Sequence, residues 1–249
     1  MTGAVPNQQI SEMIQSGQIN AAPSVIDAQI QPASLDLRLG NVAYRVRASF
    51  LTGHGAKVTD RLKEFEMHRV DLTDGAVLEK GCVYVVPLME SLALPEGMNA
   101  VANAKSSTGR LDLLTRTITD GGTEFDRIPS GYSGPLYAEI CPRSFSVLVR
   151  PGMRLNQIRF RRGHAVLDDT TLAKLHAEIP LVNGDPVIDD GLGFSVDLNL
   201  PGSTLVGYRA KPHTGVIDLD LIGHYDPTAY WEEVHSTDGH IILDPGAFY

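Results

Sequence analysis

Between residues 34 and 40 the chain reads SLDLRLG, so that Leu35, Leu37 and Leu39 alternate with Asp36 and Arg38. A period of two turns successive side chains to opposite faces of extended backbone and predicts a half-buried strand. The same kind of run recurs as AYRVRASF, AVLEKGCVYVVPLMESLAL, GPLYAEICP, SFSVLVRPGMRLNQIRF and HIILDPGAFY, each broken or bounded by Gly, Pro, Asn or Asp. Many short strands with turn residues between them predict an all-β barrel or sandwich. Helical signals are few. SEMIQSGQI offers Ser11 as N-cap, Met13 and Ile14 as an apolar face and Gly17 as a stop; two further helices are expected over 107–114 and 169–178.

Two of these segments have echoes. SLDLRLG (34–40) returns as VIDLDLIG (216–223), and TDGAVLEKGCVY (73–84) returns as TDGHIILDPGAFY (237–249), in the same order. The expected organisation is a β domain over 1–189 followed by a partial second β unit over 190–249. The second unit has no counterpart of AKSSTGRLDL (104–113).

A hydrophobic content of 43% and a charged content of 20% suit a globular core. The net charge of −9 opposes broad contact with nucleic acid or an anionic membrane surface. A small anionic substrate needs locally focused cations, which the chain has at 104–110 and at Arg150, Arg154, Arg159, Arg161 and Arg162. Cys82 and Cys141 form neither a disulfide framework nor a metal-type pair, and read as free thiols of a reducing compartment. The N-terminal stretch lacks a basic-plus-apolar signal pattern, and no run approaches the ~18 apolar residues of a spanning helix. A cytoplasmic protein that neither binds nucleic acid nor enters a membrane is expected.

Lys105, Ser106, Ser107, Thr108, Gly109 and Arg110 bring two cations and three hydroxyls together. The block is not a P-loop: Ala104 stands where G-x-x-x-x-G-K-[ST] requires glycine, and Asn99 replaces the first glycine. Two readings stay open, a short helix capped by Ser106 or Ser107 and a contact to an anionic ligand. Glu139, the one carboxylate of GYSGPLYAEICP, shares a strand face with Tyr137 and Cys141. It is either an acid/base group made competent by desolvation or the partner of an arginine such as Arg143, Arg150 or Arg154. The histidines, His54, His68, His164, His176, His213, His224, His235 and His240, show no H-x-E or H-E-x-x-H spacing, and Cys141-Pro142 is not the P-C-x-x-C of zinc deaminases.

Taken in order, IQPASLDLRLG, AKSSTGRLDL, GYSGPLYAEI and VLVRPGMRLNQIRF resemble the dCTP deaminase branch of the dUTPase-like superfamily, over roughly residues 24–165. The resemblance implies a dUTPase-like distorted β-barrel with a few short helices, assembled as a trimer, or as a pseudo-trimer of fused units, with sites near subunit boundaries. It implies hydrolytic deamination of dCTP to dUTP and ammonia without zinc, with magnesium carried on the substrate triphosphate. It makes Glu139 the general base, with Ser106 and Arg110 ordering the water and balancing charge. It sets Lys105 and Ser107 on the triphosphate within the 105–110 block, Thr108 and Gly109 included, and Tyr137 and Ala138 along the pyrimidine.

The chain also departs from the family. Pro129 occupies the place of the aspartate that precedes the G-[WY]-x-G turn, which argues against dUTP pyrophosphatase activity and removes a ribose contact. Glu124-Phe125 stands where Thr-Ala is common. Two functions from different classes follow: a dCTP deaminase, and a non-catalytic nucleotide-binding or assembly remnant.

Overall fold

A computed structural model describes residues 2–163 and 166–249. His164 lies outside the described residues. Two twisted sheets carry the fold. In the first, the strands run in the order Arg127–Ile128, Met98–Ala104, Arg154–Arg162, Ser34–Arg38 and Ile30–Gln31, with Gly3–Ala4 added to Arg154–Arg162. The second has the order Leu113–Thr119, Ser133–Pro142, Val83–Ala93, Val42–Val46 and Glu66–Asp71, with Ile19–Ala21 added to Val83–Ala93. Strands Ser34–Arg38, Val42–Val46, Val83–Ala93, Ser133–Pro142 and Arg154–Arg162 fall on the alternating segments of the sequence, whereas HIILDPGAFY forms no strand; the all-β expectation holds. Leu35, Leu37, Leu39, Val86, Leu136, Ala138, Ile140, Ile158 and Phe160 form the main core.

The Ser34–Arg38 strand differs from its half-buried expectation, because all five residues are buried. Asp36 pairs with Lys105, and Arg38 pairs with Glu90 at 2.8 Å, so the polar side of the alternation is neutralised instead of solvated. Gly40 follows directly. Its N–H donates to the Pro87 carbonyl at 2.8 Å, and a Cβ there would stand 2.7 Å from that oxygen, so only glycine lets the two sheets meet here.

The first helix runs over Asn7–Gln15, not from Ser11. Val5 is tied to the Phe160 carbonyl and Pro6 holds the N-cap, while Ser11 sits within the helix and donates to the Asn7 carbonyl. Gly17, with φ +74°, ends it as expected. The helix expected over 107–114 is one turn, Ser106–Gly109; Asp112 adopts φ 51° and extended backbone resumes at Leu113. Helix Asp169–Glu178 matches the expectation, with Asp168 capping the Thr171 N–H. An unforeseen helix, Val58–Phe65, lays Val58 and Leu62 over Val46, Phe50, Val85, Ile118 and Tyr137 on the outer face of the second sheet.

Beyond residue 190, Leu205–Ala210 pairs with Trp231–His235, and Ile217–Asp218 adds in parallel to Val147–Val149. Phe145, buried in the core, meets Trp231 edge-on at 5.3 Å and Tyr230 at 5.9 Å. Arg150 is bonded by Asp218 and Asp220. The sequence echoes take different forms. Residues 34–38 are a full strand where 216–223 supply only Ile217–Asp218, and Ala76–Leu78 is a strand whereas 237–249 hold none. Among the described residues no helix is long and apolar enough to cross a membrane.

Candidate functional site

The 105–110 block joins the two sheets. Lys105 donates its N–H to the Leu155 carbonyl at 2.8 Å, and the Thr108 hydroxyl reaches the same oxygen at 3.0 Å, so the turn is pinned to Arg154–Arg162 before the chain enters Leu113–Thr119. Neither serine caps the turn: Lys105 holds the N-cap position, and Ser106 and Ser107 stay exposed. That disposes of the helix-cap reading. Ser107, Thr108 and Lys105 line a cavity of about 560 Å³ together with Arg150, Arg154 and Leu219. The Lys105 ammonium is bonded to Asp36, and Arg154 stands 3.8 Å from the same carboxylate. Arg110, exposed, borders a different cleft of about 340 Å³ with Tyr208, Trp231, Phe248 and Tyr249.

Glu139 lies in the Ser133–Pro142 strand, between Leu113–Thr119 and Val83–Ala93. Register sets Arg116 directly opposite it, which turns both side chains to one face. The arginine that meets it is therefore Arg116 and none of Arg143, Arg150 or Arg154. Arg116 Nε and Nη2 both donate to Glu139 Oε1, at 3.1 Å and 2.5 Å. The residue is 2% exposed, and its Oε2 is buried without a hydrogen-bond partner among the described residues. Such an acceptor costs about 1–3 kcal/mol when left unpaired.

Tyr137 shares the Glu139 face and packs beneath helix Val58–Phe65, where burial pushes its phenol up to about 12. Ala138 points to the opposite face, fully buried in the main core. Burial also pushes the Cys141 thiol up. Asp126 accepts the Thr117 N–H at 2.7 Å, and desolvation raises its carboxyl despite the nearby Arg116.

The residues singled out in the sequence thus do not form one site within one chain: Lys105, Ser107 and Thr108 lie on the cavity, Ser106 and Gly109 are exposed on the turn, Arg110 is at the aromatic cleft, Tyr137 and Glu139 share the outer face of the second sheet, and Ala138 is in the core. Glu139 is not a wall of the cavity that Ser107 lines. Sequence reading missed Arg116 and Asp126. The only local signal for Arg116 was a lone cation inside the otherwise uncharged strand LLTRTIT. Among the described residues, no three His, Cys, Asp or Glu side chains cluster as metal ligands would.

The family model for the 2'-deoxycytidine 5'-triphosphate deaminase N-terminal domain matches residues 1–164, and that for its C-terminal domain matches residues 168–249. A dCTP deaminase of Shewanella amazonensis is 28% identical over 163 residues, covering 62% of this chain and 80% of its own. A dUMP-forming dCTP deaminase of Persephonella marina is 29% identical over 160 residues, covering 63% and 82%. The crystal structure of 2'-deoxycytidine 5'-triphosphate deaminase from Agrobacterium tumefaciens superposes with a TM-score of 0.94 at 50% identity, over 99% of this chain and 74% of that one. On its sequence, its fold and both family models, the chain belongs to the 2'-deoxycytidine 5'-triphosphate deaminase family.

Proposed function

We propose that this protein hydrolyses dCTP to dUTP and ammonia, with Glu139 as the general base. The observation that carries the reading is a carboxylate 2% exposed, with one oxygen held by Arg116 and the other unpaired. Deamination needs a base that takes a proton from water as the oxygen attacks C4 of the cytosine and that then passes a proton to N3. The proton of the new C4 hydroxyl then moves to the exocyclic amine, and collapse of the tetrahedral intermediate expels that amine as ammonia and leaves a uracil ring. A desolvated carboxylate with a free lone pair suits both transfers.

Ser106 and Arg110 order the water and balance charge, while Lys105 and Ser107, with the Thr108–Gly109 backbone, hold the triphosphate. Tyr137 and the Ala138 backbone border the pyrimidine. One chain keeps the 105–110 block apart from Glu139, and this separation supports a site completed between two units, as in a trimer or a pseudo-trimer of units. Magnesium arrives with the triphosphate as part of the substrate. Asp220, the carboxylate that lines the Ser107 cavity, is already bonded to Arg150, so the metal would be held through the substrate rather than by the protein. No zinc takes part, and the reaction is placed in the cytoplasm.

Incubation with dCTP and magnesium should release ammonia and dUTP, and Glu139→Gln should cut turnover by about 10²–10⁴-fold while retaining nucleotide binding. Chromatography of the product separates dUTP from dUMP, the product in the Persephonella relative's name. Pro129, in place of a water-activating aspartate, favours dUTP. The same separation within one chain favours a second reading, a nucleotide-binding protein without turnover. Sedimentation alongside dCTP binding tests it: a monodisperse monomer that binds dCTP and releases no ammonia would establish the non-catalytic form.

A further inference from the structure

We propose that Arg116 orients Glu139, its two N–H groups fixing Oε1 so that Oε2 is the oxygen offered to the reacting water. This positioning role rests on the reading of Glu139 as general base.

An arginine facing a carboxylate ordinarily spreads its fork over both oxygens. Here Nε and Nη2 converge on Oε1 alone, at 3.1 Å and 2.5 Å, and Oε2 has no donor among the described residues. Two further contacts hold the guanidinium in that pose. Nη2 also donates to the Ser49 hydroxyl at 3.1 Å, and the guanidinium carbon lies 3.7 Å from the centroid of the Phe125 ring, where the π-face attracts a cation. The strands add a third constraint, since Arg116 and Glu139 are register partners.

A base must keep a lone pair open towards the proton it takes, and the torsion that aims this lone pair must be stopped. Oε2 meets the first requirement. Arg116, itself fixed from Ser49 and Phe125, meets the second. No other cation is bonded to Glu139 among the described residues, so the orientation depends on this one side chain.

Steady-state kinetics of dCTP deamination by the full chain, measured well below each variant's unfolding temperature, test this role. Glu139→Gln is run in parallel to report on the base itself. Arg116→Gln is expected to lower kcat about 100-fold with KM held within about threefold, the pattern of a misaimed group rather than a lost substrate contact. Arg116→Lys keeps the charge without the converging pair of donors and is expected at an intermediate kcat. Wild-type kcat in either Arg116 variant overturns the proposal. So does a raised KM at unchanged kcat, which would make Arg116 a substrate contact. Should Arg116→Gln not fold, Arg116→Lys decides by the same criteria. Turnover near wild type in Glu139→Gln removes the base itself, while a Glu139→Gln that loses turnover beside a fully active Arg116→Gln removes only the positioning role.

Discussion

Among the described residues two buried glutamates face arginines, and they are not equivalent. Glu90, 1% exposed, has both oxygens engaged: Oε1 accepts from Gln29 Nε2 and Arg38 Nε, and Oε2 accepts the Arg38 N–H, each at 2.8 Å. Arg38 then anchors the carbonyls of Pro23 and Ser24, so the whole group is closed. Glu139 is as deeply buried and has one oxygen engaged. Closed polar networks hold a fold together, whereas an open one keeps bonding capacity in reserve. Satisfaction, more than burial, separates the structural carboxylate from the candidate base.

The sharpest way to break this contrast is activity. Glu139→Gln should cost about 10²–10⁴-fold in kcat, the scale of a lost general base. The assay is ammonia release from dCTP, and turnover near wild type would erase the functional half of the comparison.

Stability should divide the two sites in the other direction. Glu90→Ala leaves Arg38, its side chain 6% exposed, charged and without a counterion, and is expected to destabilise the fold by about 3–5 kcal/mol. Glu139→Ala leaves an arginine that is 29% exposed and can turn to water, so a change of about 1 kcal/mol or less is expected. Urea unfolding midpoints at constant slope measure both, and equal losses would show the two networks to be alike.

How much of this was legible in the sequence follows the range of each interaction. Strands were readable because alternation and turn residues are local, and Glu139 stood out because GPLYAEICP offers no neighbouring charge. Arg116 was not readable as its partner: the pair is 23 residues apart and is made by the register of two strands. Likewise Asp36 and Arg38 read as a solvated face, because Lys105 and Glu90 come to them only through tertiary pairing. Helix Val58–Phe65 was missed for the opposite reason. VTDRLKEF has a short apolar stripe, and that stripe gains its meaning only over the Phe50 and Tyr137 surface.

A double variant sharpens the meaning of a closed network. Replacing a buried ion pair by apolar residues is often neutral. Glu90→Leu combined with Arg38→Met is nevertheless expected to remain about 1–3 kcal/mol less stable, because the residue 38 N–H loses its acceptor and Gln29 Nε2 keeps only the Asp36 carbonyl. Recovery to wild-type stability would show that the charges alone mattered.

The smallest effect belongs to a third pair, which is closed but wet. Arg150 holds Asp218 through two bonds, of 2.7 Å and 2.8 Å, and pulls its carboxyl from the ordinary 3.8 down to about 2. A depressed carboxyl stabilises the fold above its unfolded value, and this contribution fades as pH falls through the folded one. The stability difference between wild type and Asp218→Asn should therefore be constant above about pH 4 and close between about pH 4 and about pH 2. Salt should shrink it as well, since Asp220 and the rim of this pair are open to solvent. Thermal unfolding across that pH range reads the difference directly. A gap that persists well below pH 2 would mean that Asp218 contributes through packing rather than charge, and satisfaction of a half-buried carboxylate would then follow the same rule as that of Glu90.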